Sequence, residues 1–412
     1  MIIIHRVILR SCTFGLFVGV FLSSSCATTA RPSAVGLGLR LPATVAMNKD
    51  AGRGGHLYVT LRLETGEKLL FMVDTGSAMM VLDRSLEPRL GECLGTETLL
   101  NFGKSYDASC YPAPKVCLGS APLVTDSNAL TSDILHKMSS GTGRPVMGVL
   151  GMDTLRHYCI QLDFKAGKMR FLHPNRVEPA KLGTAFPLTF STEGQSYARW
   201  IRPYIRHADL AGGEPVEVLI DTGYNGDGGL EPERFRRAIS EQRLRAQAEA
   251  EDAREPNNAE VAKCVWNGAT YTGVHLGKGE NSLGLRFLAR HLVTFDFPRR
   301  TMYLKRTSSG PLAGRGLTAA TKTAGRSTFA LARKLWKNGQ LPGWPKQDGG
   351  LSSAMCHLRR NPDTVTLDTQ KKGDSSIYHY EFTRASKDDP WKLQKAWRTD
   401  QDGRMMEEYP VP

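Results

Sequence analysis

Two short apolar runs, each stopped by the same polar triplet, organise the hydrophobic pattern. Leu69-Leu70-Phe71-Met72-Val73 runs into Asp74-Thr75-Gly76-Ser77, and Val218-Leu219-Ile220 runs into Asp221-Thr222-Gly223. Short apolar stretches bounded by turn residues predict buried strands. A carboxylate at the tip of such a strand is costly to bury without hydrogen bonds. The neighbouring hydroxyls can supply them, as can a glycine that turns tightly and bares backbone N–H groups. One Asp-Thr-Gly arises by chance in roughly one chain in ten of this length. Two, each capping an apolar strand, need another explanation.

The pattern repeats well beyond the triplet. Gly151-Met152-Asp153-Thr154-Leu155, Ile160-Gln161-Leu162-Asp163-Phe164 and Lys168-Met169-Arg170-Phe171-Leu172 are followed by second versions at a constant offset of 133. These are Gly284-Leu285-Arg286-Phe287-Leu288, Val293-Thr294-Phe295-Asp296-Phe297 and Thr301-Met302-Tyr303-Leu304. Self-similarity on this scale predicts two copies of one lobe. Val149-Leu150 and Ser282-Leu283, before the glycines, would each bring a second strand under an Asp-Thr-Gly turn.

These motifs resemble the retropepsin-like and pepsin-like aspartic peptidases, above all the bacterial members with two lobes in one chain. The resemblance covers about residues 51 to 306. It implies a mostly β, two-lobed β-barrel fold built by internal duplication. Asp74 and Asp221 would form a catalytic dyad sharing one water. Thr75 and Thr222 would brace it across the lobe interface, with Gly76 and Gly223 in the turns and Ser77 supplying a hydroxyl to the aspartate. The second copy departs from the family, with Tyr224 where Ser or Thr is usual. A lost hydroxyl would disfavour ionised Asp221, so Tyr224→Ser is expected to move the acid limb of activity to lower pH. Thr96 to Leu118 is the candidate for a substrate-covering flap, with Tyr106 or Tyr111 as its aromatic contact.

The remaining pattern divides the chain. Residues 1–27 read as a signal peptide: basic Arg6 and Arg10, an apolar run from Cys12 to Leu22, then Ser23-Ser24-Ser25-Cys26-Ala27. Cys26 is a candidate lipid anchor, although Leu22 lies one place too early for a good lipobox; Ser25 and Ala27 suit ordinary signal peptidase. A linker is expected over 28–50, lobes over 51–176 and 177–309, a second linker over 310–326 and a small α+β module over 327–412. Glu231 to Arg254 is rich in helix formers and predicts a surface helix. Asn267-Gly268 between strand formers predicts a hairpin. In the last module a helix is expected over Thr328–Asn338 and strands over Thr364–Gln370, Ile377–Arg384 and Lys392–Arg398. Tyr378, Tyr380, Trp391 and Trp397 are expected in its core rather than on a binding face.

Composition changes this picture little. A 412-residue chain that is 41% hydrophobic can bury substantial cores, and its net charge of +13 is scattered. No zinc-finger, basic-repeat or RNA-binding aromatic signature accompanies that charge, so no nucleic-acid partner is expected. Neither the ten histidines nor the eight cysteines show ligand spacing, so no metal or other cofactor is expected. A disulfide between Cys110 and Cys117 is the first expectation in an oxidising compartment. Asn225-Gly226-Asp227-Gly228-Gly229 lacks alternating calcium ligands and reads as a flexible turn. The expected activity is an exported, monomeric endopeptidase acting on peptide or protein substrates. The alternative is a catalytically inactive two-lobed peptide- or protein-binding protein.

Overall fold

The structure, a computed structural model, describes residues 2–5, 41–101, 104–126, 128–135, 145–190, 201–246, 257–313, 319–344, 355–358, 363–369, 376–386, 389–399 and 405–411. Contacts divide the chain into two compact units, Met1–Ala313 and Gly314–Pro412. Both are rich in β-structure, arranged in several sheets. None of the described sheets closes on itself, so the expected barrels are open sheets. No helix among the described residues is long and apolar enough to cross a membrane.

In the first unit the two apolar runs take equivalent places. Lys68–Val73 lies between the antiparallel strand Tyr58–Leu63 and the parallel strand Val146–Leu150, with Leu150 opposite Val73. Val216–Asp221 lies between antiparallel Tyr204–Ala208 and parallel Ser282–Gly284, with Asp221 opposite Gly284. Paired on both edges, these strands have continuous apolar sequences because Phe71, Met72, Val73, Leu219 and Ile220 are all buried. Gly148 leaves room for that packing: a Cβ there would fall 2.2 Å from the Phe71 ring.

A third sheet joins the repeats, in the order Thr184–Pro187, Thr301–Arg306, His291–Asp296, Cys159–Asp163, Lys168–Leu172, Ala43–Ala46. At its centre Gln161 faces Thr294, its own counterpart 133 residues on, and donates to the threonine hydroxyl at 3.0 Å. A residue paired with its repeat-mate marks a local two-fold axis.

Several expectations are corrected here. Part of the expected 28–50 linker is the strand Ala43–Ala46, recruited because the edge of Lys168–Leu172 offers it a hydrogen-bonded partner. The expected Glu231–Arg254 helix spans only Pro232–Ser240. Its apolar face ends at Phe235, Ala238 and Ile239; Gln242 then turns through φ 56°, and buried Leu244 leads a strand, Leu244–Ala246, onto Asn258–Val261. Residues 247–254 lie outside the described residues. No disulfide joins Cys110 to Cys117, and Cys93, Cys159 and Cys264 form none among the described residues. Cys110 sits opposite Gly95 and Leu130 whereas Cys117 sits opposite Arg62, so separate strands carry the two thiols to different partners.

The flap candidate holds a hairpin of Gly95–Asn101 with Lys104–Pro112, while Val116–Leu118 leaves it to pair with Tyr58–Leu63. Tyr111 is buried in the main core, and Tyr106 packs on the smaller cluster around Tyr58 and Met72. Asn267 and Gly268 form the expected hairpin turn, both with positive φ (49° and 73°) and with Trp266 opposite Ala269. Ile2–His5 pairs with Thr98–Asn101; residues 6–40, including Cys26 and most of the expected signal peptide, lie outside the described residues.

In the second unit the helix Ala319–Lys337 accompanies a five-stranded antiparallel sheet. The helix starts nine residues earlier than expected (328 minus 319), within the expected 310–326 linker, because its alanine-rich first turns are good helix formers. The three expected strands are present over Thr364–Thr369, Ile377–Thr383 and Lys392–Thr399. Two short outer strands, Met355–Leu358 and Met405–Tyr409, were not expected. Tyr378 and Tyr380 are core residues with Trp344, Phe382 and Ala396, while half-buried Trp397 stacks on His379 at 4.9 Å. Each unit has its own apolar core. A chain ending at Ala313 should therefore stay folded and keep any peptide-cleaving turnover that the full chain shows, as read by urea unfolding and peptide digestion. Loss of turnover in a folded truncation would mean that the second unit shapes the site.

Candidate active site

Folding brings the two Asp-Thr-Gly turns into contact. Asp74 and Asp221 are buried and lie within hydrogen-bonding reach of each other. Each carboxylate is caged by its own turn. Asp74 Oδ1 accepts from the N–H groups of Gly76 (2.7 Å) and Ser77 (3.1 Å). Asp221 Oδ1 accepts from those of Gly223 (2.9 Å) and Tyr224 (3.0 Å). The threonines are exchanged between the repeats: the N–H of Thr75 donates to Thr222 Oγ1 and that of Thr222 to Thr75 Oγ1, both at 3.0 Å. Their hydroxyls then donate onward, Thr75 to the Ile220 carbonyl at 2.6 Å and Thr222 to the Val73 carbonyl at 2.9 Å. All four bonds cross between the repeats and are buried, so the spacing of the carboxyls is set by a closed network.

The glycines set how closely the turns approach. A Cβ on Gly76 would fall 2.7 Å from Asp221 Cγ, and one on Gly223 would fall 2.3 Å from Asp74 Cγ. Each carboxyl therefore rests on the glycine of the opposite turn. Gly223→Ala should force the carboxyls apart and lower any chemistry they perform together by at least roughly 10²-fold, the scale expected for misplacing reacting groups by an ångström. Unchanged kinetics would show that the contact is not needed.

Burial, and then the neighbouring Asp221 charge, raise the Asp74 pKa to about 7. No N–H or O–H of the neighbouring backbone or hydroxyls donates to buried Asp74 Oδ2, which disfavours its charged form. A second carboxyl, Asp153, is also raised to about 7 by burial; it accepts from the N–H groups of Met80 and Thr154, both at 2.9 Å. Its counterpart at the repeat offset is Arg286, which donates to Asp227 Oδ2 at 3.1 Å.

The expected roles of Ser77 and Tyr224 need correction. The Ser77 hydroxyl donates to the Met79 carbonyl at 2.8 Å, and only its backbone N–H reaches Asp74. Tyr224 therefore deprives Asp221 of nothing that Asp74 receives, and the basis for expecting a shift in Tyr224→Ser falls away. The Tyr224 ring fills a slot of its own: Cβ atoms on Gly226, Gly277 and Gly284 would lie 2.7, 2.8 and 2.8 Å from it. Residues 225–229 are not a loose turn either. Asp227 is buried, pairs with Arg286 and with fully buried Arg290 (2.8 Å), and accepts from the N–H of His275 at 2.9 Å. Five consecutive turn formers look mobile in isolation; the ion cluster and the bonds from Gly284 N–H and Leu285 N–H to the carbonyls of Asp227 and Tyr224 fasten them.

Sequence reasoning missed His56, whose Nδ1 lies 2.9 Å from the Gly223 carbonyl. Separated by 167 residues, the pair leaves no local signal. Asp153 and Arg286 were visible as matched positions of the repeat, but their opposite charges hid the shared task of holding the loop after each aspartate. Among the described residues no group of three or more His, Cys, Asp or Glu could hold a metal ion.

No protein-family model matches the chain, and no curated protein does. Among solved structures, basic 7S globulin from soybean is similar, with a TM-score of 0.41 and 14% identity; the match covers 65% of this chain and 95% of that one.

Proposed function

We propose that this protein is an aspartic-type endopeptidase of the pepsin-like and retropepsin-like class, acting on peptide substrates through a water activated between Asp74 and Asp221. One observation carries the reading: two buried carboxyls in contact, each caged by two N–H groups and bridged by reciprocally exchanged threonines. Two like charges this close cannot both ionise comfortably, so the pair shares one proton over a broad pH range. The titration belongs to the pair, with Asp74 taken as the holder of the proton because no donor among the described residues reaches its buried Oδ2. Ionised Asp221 takes a proton from the attacking water while Asp74 donates to the scissile carbonyl oxygen. The tetrahedral intermediate then collapses with proton transfer to the leaving nitrogen.

Tyr224, the imperfect Ser282 and the segment inserted at Glu231–Arg254 are the features that favour the non-catalytic reading. The glycine slot of Tyr224 leaves the N–H cage of Asp221 intact, so that residue does not argue for inactivity. Export, with a mature N-terminus near Cys26 to Thr28 and Cys26 as a candidate lipid anchor, belongs to the same proposal. Mass analysis of the native N-terminus tests it. The activity is tested by digesting a diverse peptide library with the purified protein across pH and reading products by mass spectrometry. Cleavage that disappears in Asp74→Asn supports the proposal; an intact library at every pH rejects it.

A further inference from the structure

The carbonyl of Gly223 and the N–H of Tyr224 belong to one peptide group, and both ends of it are held. The N–H donates to Asp221 Oδ1 at 3.0 Å, and the carbonyl faces His56 Nδ1 of the first repeat at 2.9 Å. A carbonyl can only accept, so Nδ1 must carry the hydrogen, in the neutral ring as in the charged one. We propose that His56 is a positioning residue for Asp221: reaching across from the first repeat, it grips the Gly223–Tyr224 peptide by its carbonyl and makes Asp221 the charge-carrying member of the pair. The inference rests on the aspartic-peptidase reading and adds to it a residue that acts through the peptide it holds.

The grip is built, not incidental. Asn48 spans the segment that presents His56: its amide donates to the His56 carbonyl at 3.0 Å, and its oxygen accepts from the N–H of Tyr58 at 2.8 Å. A second clasp lies alongside, where the Asn225 amide donates to the Gly54 carbonyl at 3.3 Å. The contact also breaks the symmetry of the site. The Val73 N–H donates to the Leu57 carbonyl and the Ile220 N–H to the Pro203 carbonyl, so Leu57 matches Pro203 and His56 matches Arg202. Arg202 donates instead to Tyr204 Oη at 2.6 Å and Glu280 Oε1 at 3.2 Å, so it does not repeat for Asp74 the grip that His56 has on the peptide after Asp221.

The chemistry follows from hydrogen bonds in series. A donor on the carbonyl polarises the peptide and strengthens its N–H as a donor in turn. A stronger donor to a carboxylate favours the charged form. The titratable groups around Asp221 are Asp74 from the opposite turn, His56 from the segment before Tyr58–Leu63, and Tyr224 and Asp227 from its own loop. The His56 ring also sees the Tyr58 ring, 6.2 Å away. Burial lowers the His56 pKa from 6.5, against the pull of the Gly223 carbonyl and Asp221.

The test uses the full chain with His56→Leu, which removes the donor, and His56→Asn, whose amide can place one near the position of Nδ1. Two readouts are taken: the pH profile of kcat/KM for peptide cleavage, and the Asp221 titration followed by carboxyl-¹³C NMR, which needs no turnover. His56→Leu should raise the lower pKa of the pair, and the acid limb with it, by roughly 0.1 to 0.5 pH unit, about 10–30% of what one hydrogen bond to the charged form supports. His56→Asn should restore most of that shift. An unmoved Asp221 titration in His56→Leu, or equal shifts in both variants, would overturn the role. Should His56→Leu fail to fold, ring ¹⁵N shifts of the wild type decide: the Nδ1–H tautomer is required, and the Nε2–H tautomer would overturn it. A wild-type protein that cleaves nothing while the titration still shifts would count against the peptidase reading alone.

Discussion

Substituting Asn for Asp74, or for Asp221, should lower turnover by roughly 10²- to 10⁴-fold or more in either case, and by similar factors. In the proposed mechanism one proton and one water serve both residues, so neither variant keeps half of it. The fold should survive. Asn at 74 keeps an oxygen for the N–H groups of Gly76 and Ser77 and presents an amide toward Asp221. Stability should even rise at neutral pH. The Asp74 pKa is raised from 3.8 to about 7, so the folded state binds more protons than the unfolded chain in that window. Its stability therefore falls as pH rises from 3.8 through about 7, and above that the full penalty is present. Asp74→Asn removes a group that cannot ionise cheaply, so its unfolding midpoint in urea should exceed that of the wild type above about pH 7 and converge with it near pH 4. Asp153 carries a slope of the same sign in both proteins and cancels from the difference. Near-normal turnover in one variant beside a dead partner would sink the shared-proton mechanism.

Arg290→Leu should be among the most destabilising single changes in the first unit, costing roughly 3–5 kcal/mol, the usual effect of stripping one partner from a buried ion pair. Arg290 is fully buried. It holds Asp227 at 2.8 Å and the carbonyls of Thr272 (2.7 Å), Gly273 (3.1 Å) and Ser309 (3.3 Å). With the guanidinium gone, buried Asp227 keeps Arg286 and the His275 N–H, while the three carbonyls lose their donor. The loop in question begins at Asp221, so turnover should fall together with stability. Asp227→Leu/Arg290→Leu should recover part of the loss by removing the stranded carboxylate, but not the part due to the carbonyls. Chemical denaturation of the three proteins measures both terms. A cost below roughly 1 kcal/mol for Arg290→Leu would place the residue with surface ion pairs, which contribute little.

The strongest features of the chain were legible in order because they are local or periodic. The apolar runs at 69–73 and 218–220 had to be buried strands, and the acid that ends each had to find donors in the next few residues. Gly76, Ser77, Gly223 and Tyr224 provide them through backbone N–H groups, within the reach of a single turn. The offset of 133 announced a duplicated unit, and the contact of Gln161 with Thr294 is that duplication seen in space. Asn267-Gly268 was equally readable, since few other dipeptides accept positive φ at both positions.

What the sequence left open depends on partners more than a hundred residues away. Whether Thr75 and Thr222 would brace each other, and how far the glycines would let the carboxyls approach, was decided only when the two turns met. Ser77 looked like a ligand of Asp74, but its hydroxyl donates to the Met79 carbonyl, an acceptor that appears only once the turn has formed. Residues 225–229 read as mobile because their composition permits every conformation; a buried Asp227 between two arginines selects one. The strand at 43–46 was invisible because edge pairing asks little of side chains and much of a vacant neighbour. His56 had no sequence signal at all. Its role comes from tertiary approach, since a peptide group already committed to Asp221 on one side had a carbonyl to satisfy on the other.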